Sequence, residues 1–196
     1  MKKASLLILI VFSINTIYAI DNRLILQEKF PKKLSEFSFF KDTHAQKPSE
    51  GVVPYELISS LFSDYSYKQR WVYVPEGKKA SFRQDEVFNF PVGSALIKTF
   101  YYPIDERNLS LGKKLMETRL LLRKQNGWEA VSYAWNEDQD EAIIKKAGKT
   151  IITDWIDFKG ESRSVRYRVP NKNQCKECHA NNDCLLYTSP SPRDPE

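Results

Sequence analysis

Two stretches rich in apolar and β-branched residues, Thr118 to Lys124 and Glu129 to Trp135, flank the pair Asn126-Gly127. No other feature constrains the fold of this chain as tightly. Asn-Gly is the pair favoured in a two-residue type I′ turn, whose twist matches that of the strands it joins. Counting outward from it opposes Lys124 to Glu129, Leu122 to Val131, Leu120 to Tyr133 and Thr118 to Trp135. One face of this hairpin then carries an apolar ladder closed by an opposite-charge pair. The other face, with Glu117, Arg119 and Arg123, is expected to be mainly solvated.

The surrounding sequence extends the β pattern. Trp71 to Val74, Val87 to Phe90 and Ala95 to Tyr102 are strand-like, with turn signals at Pro75-Glu76-Gly77 and Pro91-Val92-Gly93 between them. Thr150 to Ile156 and Ser162 to Val169 form a further pair joined at Lys159-Gly160. In the second of these, Val165, Tyr167 and Val169 alternate with Ser164, Arg166 and Arg168, the pattern of a half-buried strand. Two short helices are expected. One covers Lys32 to Phe40 and is docked by Leu34, Phe37, Phe39 and Phe40. The other runs from an N-cap at Asn136, with Gln139 three residues on, through Lys145 and Lys146 to an exit at Gly148. Gly51 to Tyr67 reads as mostly irregular. The expected class is mainly β with short helices (α+β), an antiparallel sheet domain leading into the segment that follows Pro170.

The ends of the chain have a different character. Met1-Lys2-Lys3 followed by the apolar run Leu6 to Phe12, and then by small and polar residues to Ala19, has the form of a secretory signal. Its apolar run is too short to span a bilayer. Residues 1–19 are therefore expected to be removed, leaving a periplasmic protein of a Gram-negative bacterium with no stable membrane span. Residues 20–50 read as an N-terminal extension with a short helix, and 51–170 as the β-rich domain. Residues 171–182, whose Cys175-x-x-Cys178-His179 spacing is that of c-type haem attachment, read as the start of a haem-binding region, and 183–196, with an abrupt Ser/Pro-rich composition, read as a non-native tail on a truncated chain. The formal net charge of +5 is mild, and its basic residues are interspersed with acids. That argues for a solvated mixed surface and against a nucleic-acid stripe.

The chemistry of the chain is concentrated in Cys175-Lys176-Glu177-Cys178-His179. Cys-x-x-Cys-His is the spacing of c-type haem attachment. The two thiols, one turn apart, can form thioethers with the haem vinyl groups, and His179 supplies an axial nitrogen to the iron. Three other readings exist: a thioredoxin-like pair, a disulfide and a zinc site. The first expects a preceding βαβ pattern, which is absent, and the last wants four ligands. Only three Cys and two His are available, with His44 distant in sequence and Cys184 in the tail. Met116 and His44 are the remaining candidates for a second axial ligand. Met116 is expected to pack near the hairpin's apolar face, and His44 to sit in a polar loop. No Ser/His/Asp constellation, phosphate loop or metalloprotease helix competes.

Further segments carry a resemblance. Pro54-Tyr55-Glu56-Leu57, Leu61-Phe62-Ser63-Asp64-Tyr65, Phe90-Pro91-Val92-Gly93, Asp105-Glu106-Arg107-Asn108, Tyr133-Ala134-Trp135-Asn136-Glu137 and Pro170-Asn171-Lys172-Asn173-Gln174-Cys175 together resemble an exported bacterial family of diheme c-type cytochromes. The resemblance covers nearly all of residues 30–180. It implies one covalent haem c at Cys175, Cys178 and His179, with His179 as the metal ligand, and a second haem in a C-terminal region not present here. It also implies electron transfer to a periplasmic redox partner protein, and it transfers no catalytic residues. A haem enzyme of peroxidase or oxidase type, and a binding module with a structural haem, are the alternatives.

Overall fold

In the computed structural model, residues 20–58, 62–82 and 88–171 are described, with the backbone at 180–181 and 184–185. The expected signal, residues 1–19, and the Cys175-x-x-Cys178-His179 string lie outside the described residues. Along the chain run α1 (Asn22–Leu26), a 3-10 turn (Leu34–Phe37), β1 (Phe40–Asp42), β2 (Lys47–Pro48), β3 (Val52–Pro54), β4 (Tyr67–Tyr73) and β5 (Ala95–Pro103). A second 3-10 turn (Leu109–Leu111) precedes β6 (Lys113–Lys124), β7 (Gly127–Trp135), β8 (Ala142–Ile144), β9 (Lys149–Ile156), β10 (Ser162–Val169), β11 (Ala180–Asn181) and β12 (Cys184–Leu185). Strands β3 to β8 form one antiparallel meander in sequence order, and β9 pairs with β10 in a separate two-stranded sheet. The mainly β, antiparallel expectation is met. Regular helix is confined, among the described residues, to α1 and the two 3-10 turns.

Both faces of the meander are covered. On the first, Trp71, Ile97, Leu120, Leu122 and Tyr133 pack against Ile25, Leu34, Phe37 and Phe39 of the N-terminal segment. That segment is fastened by polar contacts at its ends. Tyr133 Oη donates to the Pro31 carbonyl at 2.9 Å, and Tyr73 Oη donates to Asn22 Oδ1 at 2.9 Å. On the second face, Phe100, Tyr102, Met116 and Ala134 meet Trp155, Tyr167 and Val169 from the β9–β10 sheet. This sheet is tied to the meander where Glu106 N donates to the Ile156 carbonyl and Ile156 N to the Ile104 carbonyl.

The hairpin forms with its register two residues from the expected one. Lys124 pairs with Gly127, Leu122 with Glu129, Leu120 with Val131 and Thr118 with Tyr133. The turn lies at Gln125-Asn126, and Gly127, with φ +130°, carries the positive φ in place of Asn126. A type I′ turn needs positive φ at both central residues, so Asn126-Gly127 does not form one. A slip by two leaves every side chain on its expected face. Lys124 and Glu129 still meet diagonally, with Nζ to Oε2 at 3.3 Å.

Neither expected helix forms as such. In place of Lys32 to Phe40 there is a single 3-10 turn, ended by Ser38 in the left-handed region at φ +57°, and Phe40 already begins β1. In place of the helix after the hairpin there is a turn leading to β8, which pairs with β7. The competing interaction is local. Asn136 Oδ1 accepts from Asp140 N and Glu141 N at 3.2 and 3.3 Å, and Gln139 takes φ +60°. The Gln139 side chain then acts as a short strand partner for Leu115. It accepts from Leu115 N at 2.6 Å and donates to the Leu115 carbonyl at 3.2 Å. Short polar side chains that bond nearby backbone compete with helix in this way. Of the strand expected at Val87 to Phe90, only a single bridge, Ser81 with Asn89, lies among the described residues. In the Gly51 to Tyr67 stretch, β3 adds a short edge strand at Val52–Pro54.

Gly148 sits where β9 begins and β10 ends. Its φ is +79°, and a Cβ there would stand 2.6 Å from the Val169 carbonyl oxygen. Gly127, at φ +130°, has open space around it. Gly148→Ala combines backbone strain with a clash against main chain, and is expected to cost about 3 kcal/mol or more. Gly127→Ala adds strain alone, about 1 kcal/mol. Urea unfolding of the two variants checks the difference, and equal losses would contradict it.

Candidate functional site

The sheet edge from which the Cys175 segment departs is described up to Asn171, and its surroundings define the candidate site. β10 ends at Val169, paired with Lys149. Pro170 then lines a groove of about 610 Å³ along the edge of β7 beyond its pairing with β8, together with Ala130, Ser132, Phe30 and Lys145. Lys145 N donates to the Ser132 carbonyl at 2.9 Å and so closes part of that edge.

A buried polar centre lies beneath β10. The register of β6 with β5 passes from Phe100–Glu117 to Tyr101–Leu115, leaving Met116 as an extra residue. A bulge of this kind puts two consecutive side chains on one face. Met116 and Glu117 therefore both point into the second core, with exposures of 1% and 0%. Glu117 Oε1 accepts from Tyr167 Oη at 2.5 Å and from Arg119 Nε at 2.7 Å, with a second, shorter contact from Arg119 Nη2. Its other oxygen, Oε2, has no protein partner among the described residues. Burial, reinforced by the Glu117 charge, holds the Tyr167 hydroxyl protonated well above its ordinary range. It is therefore a fixed donor to the carboxylate.

Cations cluster on the same face. Arg70, Lys98 and Arg119 stand directly opposite one another on β4, β5 and β6, and Ser132 of β7 continues the row. Lys98 Nζ lies 4.9 Å, and Arg119 Cζ 4.3 Å, from the centre of the Phe100 ring. Arg70 is almost wholly buried, with Nη1 3.7 Å from the exposed Glu56 carboxylate. Burial, followed by the charges of Arg119, Arg70 and Lys68, lowers the Lys98 ammonium to about 8.

The expected solvation of the Glu117, Arg119 and Arg123 face is overturned, because the β9–β10 sheet covers the Glu117 end of it. Met116 is likewise on the opposite side of the meander from the hairpin's apolar ladder. Buried among Phe100, Tyr167 and Val169, it fills a core position. His44 is exposed in the turn between β1 and β2, as expected, and its Nδ1 contacts the Gln139 carbonyl. Met116 and His44 are not brought together. Sequence reading missed Glu117, Tyr167, Lys98 and Arg70 as a group. The available signal was the apolar content of both faces of β5, where Phe100 and Tyr102 alternate with Thr99 and Tyr101.

Among the described residues no group of three or more His, Cys, Asp or Glu side chains is placed to hold a metal ion. Among the same residues no helix is long and apolar enough to cross a membrane. No family model, curated protein or solved structure matches this chain.

Removing the Tyr167 hydroxyl takes one donor from a carboxylate that water does not reach. Hydrogen bonds to buried charged groups are worth about 1.5–3 kcal/mol. Tyr167→Phe is expected to destabilise the protein by about 2 kcal/mol in denaturant unfolding. Tyr65→Phe, at a hydroxyl on an exposed residue, should change stability by less than about 0.5 kcal/mol.

Proposed function

We propose that this protein is an exported c-type cytochrome that transfers electrons through one haem c covalently held by Cys175, Cys178 and His179. The observation that carries this reading is the Cys175-Lys176-Glu177-Cys178-His179 string itself, supported by the form of a secretory signal in residues 1–19. The donor set fits the group: two thiols at the spacing of the vinyl side chains and an adjacent imidazole for the iron.

When bound, the haem supplies a one-electron couple. The chain's own part is attachment, orientation and shielding. Cys175 and Cys178 would fix the macrocycle to the backbone, and His179 would supply a nitrogen to the iron. Cys175 stands five positions beyond Pro170, so the attachment point is tethered within about 18 Å of Pro170. The Pro170 ring restricts the backbone there, and Gly148 lets the β9 start approach the β10 end closely. The β-rich domain would thus serve as the base to which a bound haem is tethered, and burial against it would tune the potential. The partner is a periplasmic redox protein.

Matured alongside a control cytochrome, the chain is expected to give a haem-staining band that survives denaturing electrophoresis. Cys175→Ala or Cys178→Ala should weaken or abolish that band, and His179→Ala should abolish the low-spin spectrum while His44→Ala leaves it unchanged. An unstained wild-type band beside a stained control would overturn the assignment.

A further inference from the structure

The pair at the tip of the hairpin, Asn126-Gly127, is the only Asn-Gly in the sequence. The main-chain nitrogen that follows an asparagine can attack the side-chain amide carbon, and a side chain on that following residue obstructs the approach. Glycine has none. At Gly127 the surroundings are open as well, since a Cβ built there would meet no atom within 4 Å. Asn126 itself is exposed. No hydrogen bond among the described residues holds its amide away from Gly127 N.

The other asparagines from Asn22 to Asn136 lack this combination. Asn22, Asn89, Asn108 and Asn136 precede Arg23, Phe90, Leu109 and Glu137. Three of them also have their side chains engaged. Asn22 Oδ1 accepts from Tyr73 Oη, Asn108 Oδ1 from Ser110 Oγ, and Asn136 Oδ1 from Asp140 N. What opposes the reaction at Asn126 is the pairing of Lys124 with Gly127, which closes the hairpin. It is the last pair of the ladder, next to an exposed loop tip, and such ends open at small cost.

We propose that Asn126 is a site of spontaneous deamidation in the folded protein. Gly127 N attacks Asn126 Cγ, the new C–N bond closes a succinimide ring, the Cγ–Nδ2 bond breaks, and ammonia leaves with the proton that Gly127 N gives up. Water then opens the ring. Addition at Cγ yields aspartate, whereas addition at the main-chain carbonyl carbon yields isoaspartate, in which the chain continues through the side-chain carbon. Either product puts a carboxylate in place of a neutral amide. It does so in the groove that Lys29, Lys124 and Lys145 also line. Isoaspartate adds a main-chain carbon as well, so the turn that pairs Lys124 with Gly127 is lengthened.

Incubating the full chain in native buffer and cleaving it with trypsin tests this against an internal reference, because the peptide from Gln125 to Lys145 holds both Asn126 and Asn136. Fragment masses read each site separately, and circular dichroism over the incubation shows that the sheet is retained. Asn126 is expected to gain the mass difference of O over NH at least about ten-fold faster than Asn136. The rate should rise with pH, since the attacking nitrogen has to lose its proton. The converted peptide should split into two chromatographic peaks of equal mass, one of them matching the peptide from Asn126→Asp. Gly127→Ala should slow the conversion several-fold, and the comparison of the two asparagines in the unmodified sequence decides even where that variant fails to fold. Conversion of Asn126 no faster than that of Asn136 in folded chain would overturn the proposal. So would fast conversion seen only in urea, because the hairpin would then protect the pair. A single product peak matching Asn126→Asp would overturn it too, since direct hydrolysis gives that product without the ring.

Discussion

One extra residue in β6 sets the geometry on which the second half of the structure depends. Without the bulge at Met116, strand alternation would place Glu117 and Met116 on opposite faces of the meander. With it, both are buried beneath β10. Tyr102, beyond the bulge, then stacks near Trp155 with ring centres 4.9 Å apart. Phe100 and Tyr167 lie 6.2 Å apart. Aromatic pairs of this kind add about 0.5–1.5 kcal/mol each beyond the area they bury.

Glu117 is the polar cost of that arrangement. An ionised carboxylate without access to water is strongly unfavourable unless paired and hydrogen-bonded. Tyr167 comes from the covering sheet and Arg119 from the same strand, so Oε1 of the carboxylate has both donors only when β10 is docked. The interaction therefore selects the docked arrangement over other ways of laying a two-stranded ribbon on an apolar face. In doing so it determines where Val169, Pro170 and the segment beyond them leave the domain.

The positive row follows from the same face. Arg119 is held by Glu117 and Arg70 stands 3.7 Å from the exposed Glu56 carboxylate, with Lys98 between them.

What the sequence by itself determined is local and periodic. The alternation of Val165, Tyr167 and Val169 marked β10 to the residue, and the runs around Asn126-Gly127 marked a hairpin with the correct faces, because side-chain direction in a strand depends only on parity. The Cys175-x-x-Cys178-His179 spacing is likewise a pattern of neighbouring residues. Tertiary structure decided the rest. The hairpin register slipped by two because Gly127, and not Asn126, took the positive φ. The Asn136 helix gave way to a turn because Gln139 found a backbone partner in Leu115, 24 residues away. The fate of Glu117 and Arg119 depended on whether a second sheet would lie over them. No short-range pattern around Glu117 carries that information, because the covering residues, Trp155 and Tyr167, arrive from 38 and 50 positions further along the chain.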